Sequence, residues 1–215
     1  MSLLGRLRAA LGRDHAALLL RARADVRMGL ALNPPACLAP LNRAIAQLER
    51  LPTSPEVALL AGQALRAKAA ALTGQAARDL RARSVAKLTA ILETPGGAAS
   101  ERAGLWAALA QAWMPLAEEA RDPDLTFRLL VRAQQAQIKA LVLPSAAAHL
   151  AMADITLALC QNPQCPGPKA MAKTVQGHLR AARGFAPGAD ESQRLDGLES
   201  AIAHLFPDVQ ADQTP

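Results

Sequence analysis

The chain has no tyrosine, and Trp106, Trp113, Phe127, Phe185 and Phe206 are its only aromatic residues. Without large rings, Leu and Ala must fill the interior. Val, Ile and aromatic residues, which suit a pleated surface, are too sparse for a substantial β-sheet. Ala has the highest helix propensity and its small side chain lets helices approach closely. Three cysteines (Cys37, Cys160, Cys165) are an odd number in a chain of 215 residues and do not suggest a disulfide framework, so a reducing compartment is expected. No run of about 18 apolar residues occurs, so a membrane span is not expected. Arg6, Arg8 and Arg13 interrupt the leucine-rich N-terminus, where no long apolar core precedes a cleavage site. Export is therefore not expected, and a cytoplasmic location is.

Catalytic signatures are also missing: there is no Gly-rich phosphate loop, no G-x-S-x-G and no H-E-x-x-H. Glu118-Glu119 and Asp122/Asp124 read as a helix end and a turn, and not as two carboxylates with separated environments. No enzymatic activity, small-molecule substrate or cofactor is expected.

What the chain does have is a repeat of helix-start signals. Asp14, Ser54, Ser100, Ser145 and Asp190 each precede a run of helical apolar periodicity, at intervals of 40, 46, 45 and 45 residues. Each interval holds a second helical run, and the runs close near Pro52, Pro95, Pro144 and Pro187. The layout predicts an all-α fold: an α-solenoid or compact stack of about four helical hairpins plus a C-terminal capping helix. Residues 1–13 read as an amphipathic cap segment, 14–206 as the hairpin-repeat domain and 207–215 as a flexible tail.

Several boundaries follow from local chemistry. Pro34-Pro35 stops the first helix near Asn33, and Pro35 suits the first turn of the second. Ser54-Pro55-Glu56 is a cap followed by proline and an acid. Trp106, Leu109, Trp113 and Leu116 share one helix face, with Pro115 expected to kink that helix or end it early. Asp122-Pro123-Asp124 reads as the next turn, followed by a helix to Leu143. The helix from Ser145 to Cys160 is apolar nearly all round and is expected to be buried on more than one side.

Two stretches carry a family resemblance. In AQIKALVLPSAAAHLAMADI, residues 136–155, Ala140-Leu141-x-Leu143-Pro144 resembles the close of a tetratricopeptide repeat, with the next repeat following at once. LNRAIAQLERLPTSPEVALLAGQAL, residues 41–65, is a second such case. The resemblance implies a right-handed stack of helix pairs with a concave groove for peptide or protein partners. The chain departs from the family in its period, near 45 against about 34, and in lacking the Trp, Gly and Tyr signature positions. A HEAT-like array or an irregular bundle fits the period as well.

Charge is uneven. Residues 1–110 hold 15 Lys/Arg and 7 Asp/Glu, a net of +8, whereas residues 111–215 hold 9 and 11, a net of −2. On the basic half, Arg23 and Arg27 flank an apolar stripe at i, i+4. Arg78, Arg81, Arg83 and Lys87 lie within or beside another. These six cations could grip phosphates or carboxylates, or could cover apolar surface and pair with acids such as Asp25, Asp79 or Glu93. No aromatic residue interleaves them, as single-strand nucleic-acid binding would require. Trp106 and Trp113 are either core residues or anchors for a partner.

His149, Cys160, Cys165 and His178 form the one candidate metal set, around the loop CQNPQCPGP. Nearness in sequence is not convergent geometry, so no metal is assigned. Cys37 is expected to be a buried structural thiol. The leading expectation is a non-catalytic interaction scaffold presenting a helical-repeat groove to a protein or peptide. One alternative is a nucleic-acid-binding subunit using the basic half. Another is an assembly factor or chaperone for a metalloprotein.

Overall fold

A computed structural model describes residues 3–211, with side chains described for residue 12 and residues 14–209. The chain is all-α: among the described residues there are ten helices and no strand. They are α1 (Leu3–Ala31), α2 (Leu38–Leu48), α3 (Pro55–Ala70), α4 (Gly74–Glu93), α5 (Ala99–Glu119), α6 (Pro123–Ala140), α7 (Ala146–Gln161), α8 (Pro168–Gly184), α9 (Ala189–Leu205) and α10 (Pro207–Ala211). Their contacts divide the chain between Gly97 and Ala98 into two units. Within each unit, consecutive helices pack on their neighbours as in a helical repeat. The most extensive contacts are within the pairs α1/α2, α3/α4, α5/α6 and α7/α8.

Where a cap residue is followed by proline, or stands just after one, the start signals hold. Ser54 accepts a hydrogen bond from the Val57 amide at 3.2 Å, Ser145 accepts from Ala148 at 3.1 Å, and Asp122 caps α6 by accepting from Asp124 at 3.1 Å. Elsewhere the helix starts move. Asp14 lies inside α1, which runs unbroken from Leu3 because no proline interrupts residues 3–31 and its three glycines, Gly5, Gly12 and Gly29, cost only about 1 kcal/mol each. A capping role for residues 1–13 would rest on side chains outside the described residues, apart from Gly12. Ser100 and Asp190 fall within the first turns of α5 and α9. There Glu101 and Glu191 reach back to the amides of Ala98 (3.3 Å) and Gly188 (3.0 Å). Pro34 and Pro35 both sit in the connection, joined by a cis peptide bond, and α2 begins only at Leu38. Pro115 does not end α5, which continues to Glu119 at the cost of one helical hydrogen bond. α6 stops at Ala140, short of Leu143. Pro207–Ala211, expected to be part of a flexible tail, is helical, and Val209 joins the core at 3% exposure. Residues 212–215 lie outside the described residues.

The core of the first unit joins Val26, Cys37, Leu41, Ile45, Leu65 and Leu80. Small residues set the spacing of its helices. A Cβ at Gly29 would lie 2.5 Å from Leu41 side-chain atoms, and one at Gly62 would lie 3.1 Å from Leu88. The buried Ser84 hydroxyl donates to the Gly62 carbonyl at 3.1 Å, bridging α4 to α3. In the second unit, ten of the sixteen residues of α7 are buried, as its all-round apolar sequence requires. It packs against α6, α8 and α9, and lightly against α5.

Two stability predictions follow from this packing. Gly29→Val should destabilise the protein by about 1–3 kcal/mol through overpacking. Gly177→Ala on α8, with nothing within 4 Å of the added carbon, should stabilise by about 0.5–1 kcal/mol. Urea unfolding of both variants checks the pair. Ser54→Ala and Ser145→Ala should each cost about 1 kcal/mol, read as a lower denaturation midpoint at unchanged slope.

Candidate functional site

α5 and α7 are the first helices of successive hairpins. They touch each other far less than either touches its own hairpin partner. The space left between them is a trough made of three adjoining concavities. One, of about 290 Å³, lies among Ser100, Ala107, Gln111, Ala147 and Ala151. The next, about 420 Å³, continues from Gln111 and Ala151 past Met114 and Pro115 to Ala158 and Gln161. The last, about 460 Å³, opens between Met114, Glu118, Arg121, Ala158 and Asn162. The lining advances in the same direction along both helices, so α5 and α7 run parallel.

The trough has an apolar floor and a few polar groups. Alanines and Met114 provide the apolar surface. Glu118 and Arg121 are exposed, and their side chains make no hydrogen bond or ion pair among the described residues. Arg194 of α9 pairs with Asp154 at the wall, and partial burial lowers the Arg194 pKa. At the Ser100 end, Gln137 is fully buried. Its Nε2 donates to the Ala148 carbonyl at 2.8 Å, tying α6 to the start of α7, and its Oε1 has no partner. Asn162 donates to the Pro123 carbonyl at 3.2 Å and accepts from the Gln164 amide at 2.8 Å, which fixes the loop at the other end.

The tryptophans lie elsewhere. Trp106 and Trp113 are half-buried and face α6, where the Lys139 Nζ stands 4.1 Å from the Trp106 ring centre and the Arg132 guanidinium 5.3 Å from that of Trp113. Three of the six cations singled out from the sequence, Arg23, Arg78 and Arg83, are engaged with local partners. Arg23 pairs with Glu56 across α1 and α3, and Arg83 pairs with Glu49 at 2.7 Å. Arg78 forks onto the Gln75 side-chain amide oxygen Oε1 at 2.9 and 3.2 Å. Arg27 is exposed, and Arg81 and Lys87 are half-buried on α4.

The four residues of the candidate metal set separate into two pairs. His149 and His178 meet across α7 and α8 with their Nδ1 atoms 3.1 Å apart, and Phe185 stacks on His149 at 5.6 Å between ring centres. Both histidine pKa values are lowered by burial, and that of His178 also by His149. The cysteines stand at the opposite end of α7, about 16 Å away at 1.5 Å per helical residue. There the Cys165 thiol lies 3.3 Å from the Met171 sulfur. Among the described residues no group of three or more His, Cys, Asp or Glu converges to hold a metal. No described helix is long and apolar enough to cross a membrane.

The chain matches no protein-family model, no curated protein and no solved structure. The helical-repeat character therefore rests on the fold alone.

Burial, with Cys165 nearby, pushes the Cys160 thiol up to about 11. At pH 8 roughly a thousandth of it is then thiolate. Alkylation with iodoacetamide at that pH, mapped by mass spectrometry, should modify half-exposed Cys165 first. Buried Cys160 and Cys37 should remain unmodified until the protein is unfolded.

Proposed function

We propose that this protein is a non-catalytic interaction module that holds a peptide segment of a protein partner in the α5–α7 trough. The observation that carries the reading is the continuity of the three concavities along two parallel first helices. Alanine walls leave room for the partner's side chains, which would supply the bulk that the trough lacks. Gln111, Glu118, Arg121 and Gln161 are placed to bond a backbone or to select charge along the rim. The trough is open along its length and its polar groups are spread out, which suits an extended segment better than a compact small molecule with converging polar contacts.

The alternatives have less behind them. Nucleic-acid binding would draw on the first unit, where Arg23, Arg43 and Arg83 are engaged with acids. A role in metalloprotein assembly would draw on the four-residue His/Cys set, which splits into two separated pairs.

The test is selection of binding peptides from a displayed library, followed by affinity measurement. Ala158→Arg and Ala147→Arg, placed at the two ends of the trough, should each weaken selected peptides at least tenfold, about 1.4 kcal/mol, with the thermal midpoint unchanged. Affinity should fall only shallowly with salt, and Arg78→Glu/Arg83→Glu should leave it intact. Peptides indifferent to both trough substitutions, or a steep salt dependence tied to the arginines, would overturn the reading.

A further inference from the structure

We infer that His149 and His178 form a two-imidazole binding site for a divalent transition ion of the zinc or copper class, with its remaining coordination positions open to solvent or to an outside ligand. The inference stands apart from the trough and does not depend on it.

The geometry carries it. Metal–imidazole bonds of about 2.0–2.1 Å in a tetrahedral site set two ligand nitrogens about 3.3 Å apart. The Nδ1 atoms of His149 and His178 are 3.1 Å apart, equivalent to an N–metal–N angle of about 98° at that bond length. The two helices therefore already hold the nitrogens near ligand spacing; the ring centres are 5.4 Å apart, so the rings meet nearly end to end, and each must turn by roughly 40° off the N–N line to aim its lone pair at one ion. In the metal-free pair one Nδ1 must carry a proton and donate it to the other. Metal binding displaces that proton from Nδ1 to Nε2 of the same ring by exchange through water, with no net proton released from the neutral pair, and each ring then carries its hydrogen on Nε2, the arrangement expected of a neutral ligand.

The surroundings fit the same use. Phe185, 46% exposed at the end of α8, stacks on one face of His149 with ring centres 5.6 Å apart. Both histidines are half-buried, so an ion could enter from water without opening the fold. Two imidazoles favour zinc, copper, nickel or cobalt over magnesium or calcium, which take oxygen ligands. With no third His, Cys, Asp or Glu converging among the described residues, the ion would present open positions outward, the arrangement of a site that recruits a further ligand and not of a closed structural one.

The experiment uses the full chain and two metal probes. In ¹⁵N-resolved NMR of the imidazoles, Zn²⁺ should shift the Nδ1 resonances of His149 and His178 together at one ion per chain, leaving His15 and His204 unmoved. Co²⁺ should give ligand-field bands without a thiolate charge-transfer band. His149→Gln and His178→Gln should each weaken Zn²⁺ at least tenfold in competition with a chromophoric chelator, whereas Phe185→Leu, which keeps both ligands, should stay within a few-fold. A thiolate band would place the ion on the cysteines and overturn the assignment. So would a shift at one histidine alone, or equal affinity in wild type and in His149→Gln and His178→Gln. The NMR readout needs no substitution, so a variant that fails to fold leaves the test decisive.

Discussion

Close approach of helices through small residues is the constraint on which the rest of this structure depends. With Leu and Ala in place of large rings, burial requires backbones to come near one another, and within the hairpins they do. Leu41 sits against the bare Gly29 backbone, and Leu88 sits against Gly62. The same composition leaves the α5–α7 trough. Inside a hairpin, leucines of one helix fill the spaces beside the alanines of the other. Between these two first helices, alanine and glycine positions meet with few large side chains to close the gap. Core and trough are thus two outcomes of one residue choice, separated by whether a leucine faces the alanine.

Much of the fold was legible because helix boundaries are set by local chemistry. Ser54 and Ser145 could be read as caps since each stands beside a proline, which ends or starts a helix whatever the tertiary context. Asp14, Ser100 and Asp190 are the same residue types without that punctuation, and capping residues are tolerated inside a helix when nothing forces a break. The trough was not legible. Ala147 and Ala158, which line it, have the same sequence character as Ala153, which is buried in the core, and only the placement of a helix distant in sequence separates them. The histidine pair lay between these extremes. Both residues were visible, but their contact depends on the antiparallel register of α7 and α8, which the loop between them sets.

The arginines show how an excess of one charge can be absorbed locally. Arg23 ties α1 to α3 through Glu56, Arg43 ties α2 to α1 through Asp25 at 2.8 Å, and Arg83 ties α4 to α2 through Glu49. All three cations are about half exposed, so each link adds little stability. Their role is closer to setting which helix lies beside which, since each charged end chooses a partner on another helix. A high isoelectric point in such a chain does not by itself describe a binding face.

All five aromatic residues fall in the second unit, and both tryptophans stand on α5 beneath cations of α6. The first unit, residues 1–97, has no tryptophan, tyrosine or phenylalanine at all. Intrinsic ultraviolet emission therefore comes from a single hairpin, while far-ultraviolet circular dichroism sums helices from the whole chain. The first signal reports one hairpin of the second unit and the other reports the whole molecule. A disagreement between them during unfolding would reveal the order in which the halves come apart, without any label attached.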